Sequence, residues 1–97
     1  MAEVKLSGEL SIYQVGALKH QFQQALLQSM HEQSALEIDL AELTECDGAG
    51  LQLLLSVSKS AAEIEISVHL LHASPTVQEM LSIYGLSNRF VNKEALP

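Results

Sequence analysis

Three stretches of the chain alternate between apolar and polar residues, a pattern typical of strands that bury one face. They cover residues 4–12, 35–40 and 64–70. Gly8 allows a bend inside the first stretch, which therefore predicts either one bent strand that includes Ile12 or a short hairpin. Phe90 and Val91 indicate a further short strand near the end of the chain. The pattern predicts four or five strands.

Between these strands the apolar residues recur at helical spacing and predict three helices. The stripes are Val15, Leu18, Phe22, Ala25, Leu26 and Met30; then Leu51, Leu54, Leu55, Ser58 and Ala62, widened by Leu53 and Val57; then Val77, Met80, Leu81 and Tyr84. Asp47 is placed to cap the second helix. The third helix is bounded by Ser74 as its cap, Pro75 in its first turn and Gly85 at its end.

The elements follow the order β(β)αβαβα(β), in which helices connect successive strands. Such connections are right-handed crossovers between parallel strands. Because the strands alternate instead of being apolar throughout, only one sheet face is expected to be covered. The sequence predicts a single α/β domain over residues 1–97, with a small mixed, largely parallel sheet of four to five strands and helices mainly on one face.

The balance of charge excludes several classes of partner. The 97 residues contain 5 Lys and Arg against 12 Asp and Glu, for a net charge of −7. This charge disfavours binding to nucleic acid and to anionic membrane surfaces. No apolar stretch is long enough to enter a membrane, and a single cysteine fits a reducing compartment. We expect a cytoplasmic protein that is a monomer or a weak dimer, with Leu53, Val57 and Leu86 as candidate exposed contacts for a dimer.

Residue spacing offers no metal or catalytic site. His69 and His72 lie around a strand end, and His20 and His31 lie eleven positions apart on one helix, so neither pair shares an ion. Cys46 has no basic neighbour to lower its pKa and is interpreted as a structural thiol. No P-loop, G-x-S-x-G or zinc pattern occurs. We expect no metal, no cofactor and no enzymatic activity.

The segment from Asp47 to Leu51 joins a predicted strand to a leucine-rich helix and carries small residues at the helix start. Small residues let another protein approach closely, and the helix start carries partial positive charge. On this view the segment is a docking surface. On the alternative view Asp47 is only a cap and the glycines only relieve crowding. The residues alone leave both interpretations open. Nucleotide binding at Gly48 and Gly50 is disfavoured by the net charge and by the lack of a neighbouring Lys or Arg in the sequence.

The run D-G-A-G-L-Q-L-L-L, which begins at Asp47, resembles the D-S-[SAG]-G-[LI]-x-x-L-L signature of STAS domains. This family is named for sulfate transporters and anti-sigma factor antagonists. Two further segments resemble the family in order: L-S-G-E-L from Leu6, and L-E-I-D-L from Leu36. The last helix is also similar, from S-P-T-V at Ser74 to Gly85 and Leu86. The resemblance covers nearly the whole chain.

The resemblance implies a non-enzymatic bacterial module for signal transduction and regulation. In free-standing members, the serine after the aspartate is phosphorylated by a kinase-like anti-sigma partner, and the added charge disrupts their complex. By this resemblance the partner-binding residues are Asp47, Gly48, Ala49, Gly50 and Leu51. The alternative is an accessory subunit of a bacterial phospholipid-trafficking ABC transporter, which would bind the ATPase subunit.

The chain departs from the family at the modified position. Gly48 stands where the phosphorylated serine is expected and has no hydroxyl, and Ala49 has none either. Thr44, just before the loop, is the alternative phosphorylation site. Ser56, Ser58 and Ser60 along the helix are interpreted as ordinary polar residues. We therefore expect binding that is not controlled by phosphorylation at Gly48.

Overall fold

The structure, a computed structural model, describes residues 2–92. Its elements are β1 (Glu3–Leu10), α1 (Ile12–Glu32), β2 (Leu36–Cys46), α2 (Gly48–Glu63), β3 (Val68–Leu71), α3 (Pro75–Ile83), a 3-10 turn (Ser87–Arg89) and β4 (Val91–Asn92). No helix in this part of the chain is long and apolar enough to cross a membrane. The closing residues 93–97, which the sequence left without an assigned element, lie outside the described residues.

The four strands lie in the order β1-β2-β3-β4, and each pairing among the described residues is parallel. Because every crossover steps to the next strand in the same direction, right-handed connections place all three helices on the same face. Burial agrees, since residues alternate between buried and more exposed in the first half of β1, over Leu36–Leu40 of β2 and along β3. The predicted α/β class, the four strands and the one-sided arrangement of helices are confirmed, but within the described residues the sheet is parallel and not mixed.

One hydrophobic core lies between the helices and the covered sheet face. Its most deeply buried large side chains include Phe22, Leu36, Ile38, Leu54 and Leu70. The core is aliphatic apart from Phe22 and Phe90, as expected from the small number of aromatic residues.

Three residues expected at a dimer surface are part of this core. Leu53, Val57 and Leu86 are 6%, 4% and 8% exposed, so the prediction that they form a dimer contact was wrong. Leu53 and Val57 are buried because α2 packs against the sheet and α1 with the widened apolar face that its stripe predicted, and Leu86 packs into the same core after α3. The exposed apolar residues of the protein are therefore not these three.

Several element boundaries differ from the sequence-based expectation. The first strand is a single bent strand, not a hairpin, and Ile12 starts α1. Ser11 ends the strand because it caps α1 in a capping box with Gln14. The stretch 64–67 is not a strand, since Ile64 caps the end of α2 and Glu65 has a φ of 58°. β2 is longer than expected and continues to Cys46.

The last helix also ends one residue earlier than its apolar stripe predicted. Tyr84 was expected in the buried stripe, but α3 ends at Ile83 and Tyr84 is its C-terminal cap. Its side chain is 62% exposed. Ser74 accepts a hydrogen bond from the backbone N–H of Val77, and Gly85 has a φ of 72°, so the predicted start and end of this helix are confirmed.

Candidate functional site

The start of α2 is fixed to the carboxyl edge of the sheet by the end of β1. The last pairs of the β1 and β2 ladder bring Leu10 opposite Cys46. The backbone N–H of Asp47 then donates to the carbonyl oxygen of Leu10 at 3.1 Å. Because two strands end at this point, the helix start projects from the sheet edge at a defined position.

Asp47 caps α2. Its backbone is extended, and its carboxylate oxygen Oδ1 accepts a hydrogen bond of 2.9 Å from the backbone N–H of Gly50. Its carbonyl oxygen accepts from the N–H of Leu51 at 3.0 Å. The first turn of a helix leaves N–H groups without intrahelical partners, and Asp47 satisfies one of them. The side chain is nevertheless exposed, which leaves the carboxylate accessible from outside.

Gly50 lies against the sheet at a distance that leaves no room for a side chain. A Cβ atom placed on it would lie 2.4 Å from the carbonyl oxygen of Leu10 and 3.0 Å from Sγ of Cys46. The first distance is shorter than real Cβ atoms make, and the second is tighter than most of their contacts. The glycine therefore allows α2 to approach the end of β1 closely.

Gly48 lies in a different environment two residues earlier. It is exposed, and a Cβ atom placed on it would have no neighbour within 4 Å. A methyl group at this position would therefore meet open space. Ala49 is half-buried, whereas Gly50 and Leu51 are buried. Of the five residues predicted to bind a partner, only Asp47, Gly48 and Ala49 form an accessible surface, which we call the helix tip.

Cys46 lies directly beneath the helix tip and is half-buried. Burial, with a smaller contribution from the Asp47 carboxylate, raises the pKa of its thiol to about 11. A protonated thiol is a poor nucleophile and a poor metal ligand. This environment agrees with the interpretation of Cys46 as a structural residue.

An apolar groove of about 610 Å³ extends from the helix tip between the start of α1 and the end of α3. It is lined by Val15, Lys19, Gly48, Ala49, Leu51, Gln52, Leu53, Leu55, Ser56, Tyr84 and Leu86. The groove is not predicted from the sequence, in which no Lys or Arg lies close to Gly48, although Lys19 lines the same groove. The groove joins side chains of α1 and α2 to Tyr84 and Leu86, which follow α3, and no local pattern in the sequence signals it.

The hydroxyl groups near the helix tip differ in accessibility. Thr44 is exposed on β2, and Ser56 and Ser60 are exposed on α2. Ser58 is buried, and its hydroxyl donates to the carbonyl oxygen of Leu55 at 2.7 Å. A kinase acting on the folded domain reaches Thr44 but not Ser58. Within residues 2–92, no group of three or more His, Cys, Asp or Glu side chains is arranged to hold a metal ion.

Comparison with protein-family models identifies the family. The model described as "Mlab, STAS domain" matches residues 2–93, which is nearly the whole chain. The chain belongs to the STAS domain family. A comparison with curated protein sequences gives no significant match.

Solved structures show the same fold for this STAS domain. The anti-sigma factor antagonist SpoIIAA in its unphosphorylated form matches with a TM-score of 0.75 and 22% identity, over 97% of this chain and 78% of that chain. The Bacillus cell fate determinant SpoIIAA in the phosphorylated form matches with a TM-score of 0.72 and 21% identity, over 97% of this chain and 81% of that chain. At this identity the similarity establishes the fold.

Proposed function

We propose that this STAS domain is a non-enzymatic interaction module that docks a protein partner through the helix tip. The observation that carries the proposal is the open surface over Gly48, which is exposed, has free space around it and adjoins an apolar groove. Apolar surface beside small, accessible backbone is suited to close protein contact. By resemblance to anti-sigma factor antagonists, the partner is a kinase-like anti-sigma or other signalling protein.

Gly48 determines whether this interaction can be regulated by phosphorylation. In the family pattern the residue after the aspartate is a serine that carries the phosphate, and Gly48 cannot carry one. We therefore propose that binding at the helix tip is constitutive and depends on the supply of the two proteins. Thr44 is the accessible hydroxyl through which a second kind of control would act.

The chemistry beneath the helix tip supports a binding role. The Cys46 thiol, with its pKa raised to about 11, is protonated at neutral pH. The Asp47 carboxylate is engaged with the backbone of its own helix. Neither group is prepared for nucleophilic or acid–base catalysis.

The experiment is affinity capture from cell lysate with the wild-type chain, Gly48→Glu and Gly48→Gln. The Cβ atom of either side chain meets open space, but only glutamate adds the negative charge that mimics a phosphate. The wild-type chain is expected to retain a kinase-like ATP-binding protein, and Gly48→Glu is expected to lose it. A smaller loss with Gly48→Gln assigns the effect to charge.

The control is Ala62→Glu, which adds the same charge at an exposed position near the opposite end of α2. It is expected to retain the partner as the wild-type chain does. Equal retention by Gly48→Glu and the wild-type chain would remove the helix tip from the interface. Loss of the partner with Ala62→Glu would show that added charge acts without regard to position.

The second candidate is an accessory subunit of a bacterial phospholipid-trafficking ABC transporter that binds the ATPase subunit with the same surface. It is favoured by the family model that matches, described as "Mlab, STAS domain", and by the absence of a hydroxyl at Gly48. In the same capture experiment the retained protein would then be a P-loop ATPase. Both candidates place the domain in the cytoplasm.

A further inference from the structure

The apolar groove beside the helix tip differs in charge from the rest of the protein. The chain carries 12 Asp and Glu against 5 Lys and Arg, yet no Asp or Glu is found among the described residues that line the groove. The one charged side chain among them is that of Lys19. Lys5 is paired with Glu42 at 3.0 Å, whereas Lys19 has no ion pair within residues 2–92. The groove therefore combines apolar surface with a positive charge that is not neutralised.

Another side of the helix tip has the opposite charge. A second depression, of about 310 Å³, is lined there by the carboxylates of Glu9, Glu45 and Asp47. No Lys or Arg is among its lining residues in the described part of the chain. The helix tip thus lies between a positive apolar groove and a negative depression. Such a distribution of charge orients a partner and disfavours partners of the wrong charge.

The form of the groove indicates which kind of segment it accepts. Leu51 and Leu53 form its buried floor. Tyr84, Gln52 and Ser56 on its sides are exposed, so the groove is open to solvent. A small molecule in a binding pocket has most of its surface buried, which an open groove does not provide. An amphipathic helix needs cover only for its apolar face and leaves its polar face in water.

We propose that the groove binds an acidic amphipathic helix of the partner, with apolar side chains packed over Val15 and Leu55 and a carboxylate paired with Lys19. The inference rests on the proposed function, which assigns a protein partner to the helix tip, and adds the chemistry of the segment that binds. Val15 and Leu55 are half-buried and keep apolar surface free for contact. Val15 and Lys19 are four residues apart on α1, so they lie on the same side of that helix. The partner helix therefore needs an Asp or Glu about one turn from an apolar residue.

The first test is photo-crosslinking in cell lysate, with the photoreactive amino acid benzoylphenylalanine in place of Tyr84. The crosslinked peptide is sequenced by mass spectrometry, so the readout is the chemistry of the bound segment and not only the name of a protein. We expect apolar residues at i, i+3 or i+4, and i+7, with an Asp or Glu one turn from one of them. The control places the same amino acid at Leu27, which is 55% exposed on α1 and does not line the groove.

The crosslinking experiment has four outcomes that overturn the proposal. They are a basic peptide, a peptide from a second copy of this chain, the same peptide from both positions, and no crosslinked peptide from position 84. The last of these is the result expected if the groove binds a small molecule.

The second test is charge reversal, measured by calorimetry with the crosslinked protein after purification. Lys19→Glu is expected to raise the Kd by about tenfold and Lys19→Gln by about threefold. Replacing the carboxylate of the partner helix by lysine is expected to restore binding to Lys19→Glu. The control is Lys59→Glu, which makes the same change at an exposed position of α2 outside the groove and should bind as the wild-type chain does. No recovery with the reversed partner overturns the proposal.

The inference and the proposed function fail in different ways in this experiment. Weaker binding by both Lys19→Glu and Gly48→Glu supports both. If Gly48→Glu loses the partner and Lys19→Glu binds it as the wild-type chain does, the acidic helix in the groove is overturned and docking at the helix tip stands. If both variants bind as the wild-type chain does, both proposals are overturned.

Discussion

Gly48 and Gly50 lie two residues apart in the first turn of α2 and have opposite environments. A Cβ on Gly50 would meet the carbonyl oxygen of Leu10 at 2.4 Å, whereas one on Gly48 would meet nothing within 4 Å. Gly48 is therefore free to contact a partner, whereas Gly50 is required for the packing of α2 against the end of β1. The two interpretations that the sequence left open, a docking surface and relief of crowding, apply to different glycines of the same turn.

The difference between Gly48 and Gly50 predicts that the largest loss of stability follows from Gly50→Ala. The added methyl group must push α2 away from the end of β1, and overpacking of this kind destabilises proteins by about 3 kcal/mol. We expect the urea unfolding midpoint to fall sharply. Gly48→Ala is the matched control, since it makes the same change at the open position. Equal stability of these two variants would contradict the close approach at Gly50.

An intermediate loss of stability is expected for Asp47→Ala. This variant removes the acceptor of the 2.9 Å bond from the Gly50 N–H. Loss of a helix cap lowers the free energy of unfolding by about 1 kcal/mol. Asp47→Asn keeps the oxygen acceptor and is expected to retain most of the stability. If both variants unfold at the same urea concentration, the carboxylate acts through its charge and not as a hydrogen-bond acceptor.

A small gain in stability is expected for Gly48→Ala. Alanine restricts the unfolded chain more than glycine and has a higher helix propensity, so the variant should gain about 0.5 kcal/mol. Chemical denaturation at several protein concentrations measures this gain. Destabilisation by Gly48→Ala would show that the space over this residue is not open.

A further effect, confined to alkaline pH, concerns Cys46, whose Sγ lies next to Gly50. Its pKa is raised in the folded state from 9.0 to about 11, so the folded protein holds the thiol proton more tightly than the unfolded chain. This contribution to stability is fully present below pH 9 and is lost as the pH rises towards about 11. Unfolding of wild type and Cys46→Ser across this window should show the difference between them shrinking. A constant difference would contradict the burial of the thiol.

Much of the fold could be predicted from the sequence because its signals are local. Alternation defined the strands, the Ser74 and Pro75 pair defined the start of α3, and the one-sided alternation predicted the covered sheet face. The errors fell at boundaries where a cap competes with a strand pattern. Ser11 and Gln14 form a capping box that was present in the sequence but was overlooked, which is why Ile12 was assigned to a strand.

The candidate site was only partly predictable, because its properties depend on distances between separate elements. Asp47 could be assigned as a cap from its position alone. The difference between Gly48 and Gly50 depends on Leu10, which is far from them in sequence. The groove is lined by Lys19 from α1 and by Tyr84, which follows α3. No local pattern reports such contacts.

The order of strands in the sheet has a consequence for how the protein is made. Each of β2, β3 and β4 pairs with the strand before it in the chain, so its neighbour is already available when it is made. As the chain leaves the ribosome, β2 can dock on β1 with α1 already covering them, and each later unit can add at the growing edge. The order in which the strands are synthesised therefore matches their order in the sheet. This match limits the time for which the apolar strand faces are exposed to aggregation.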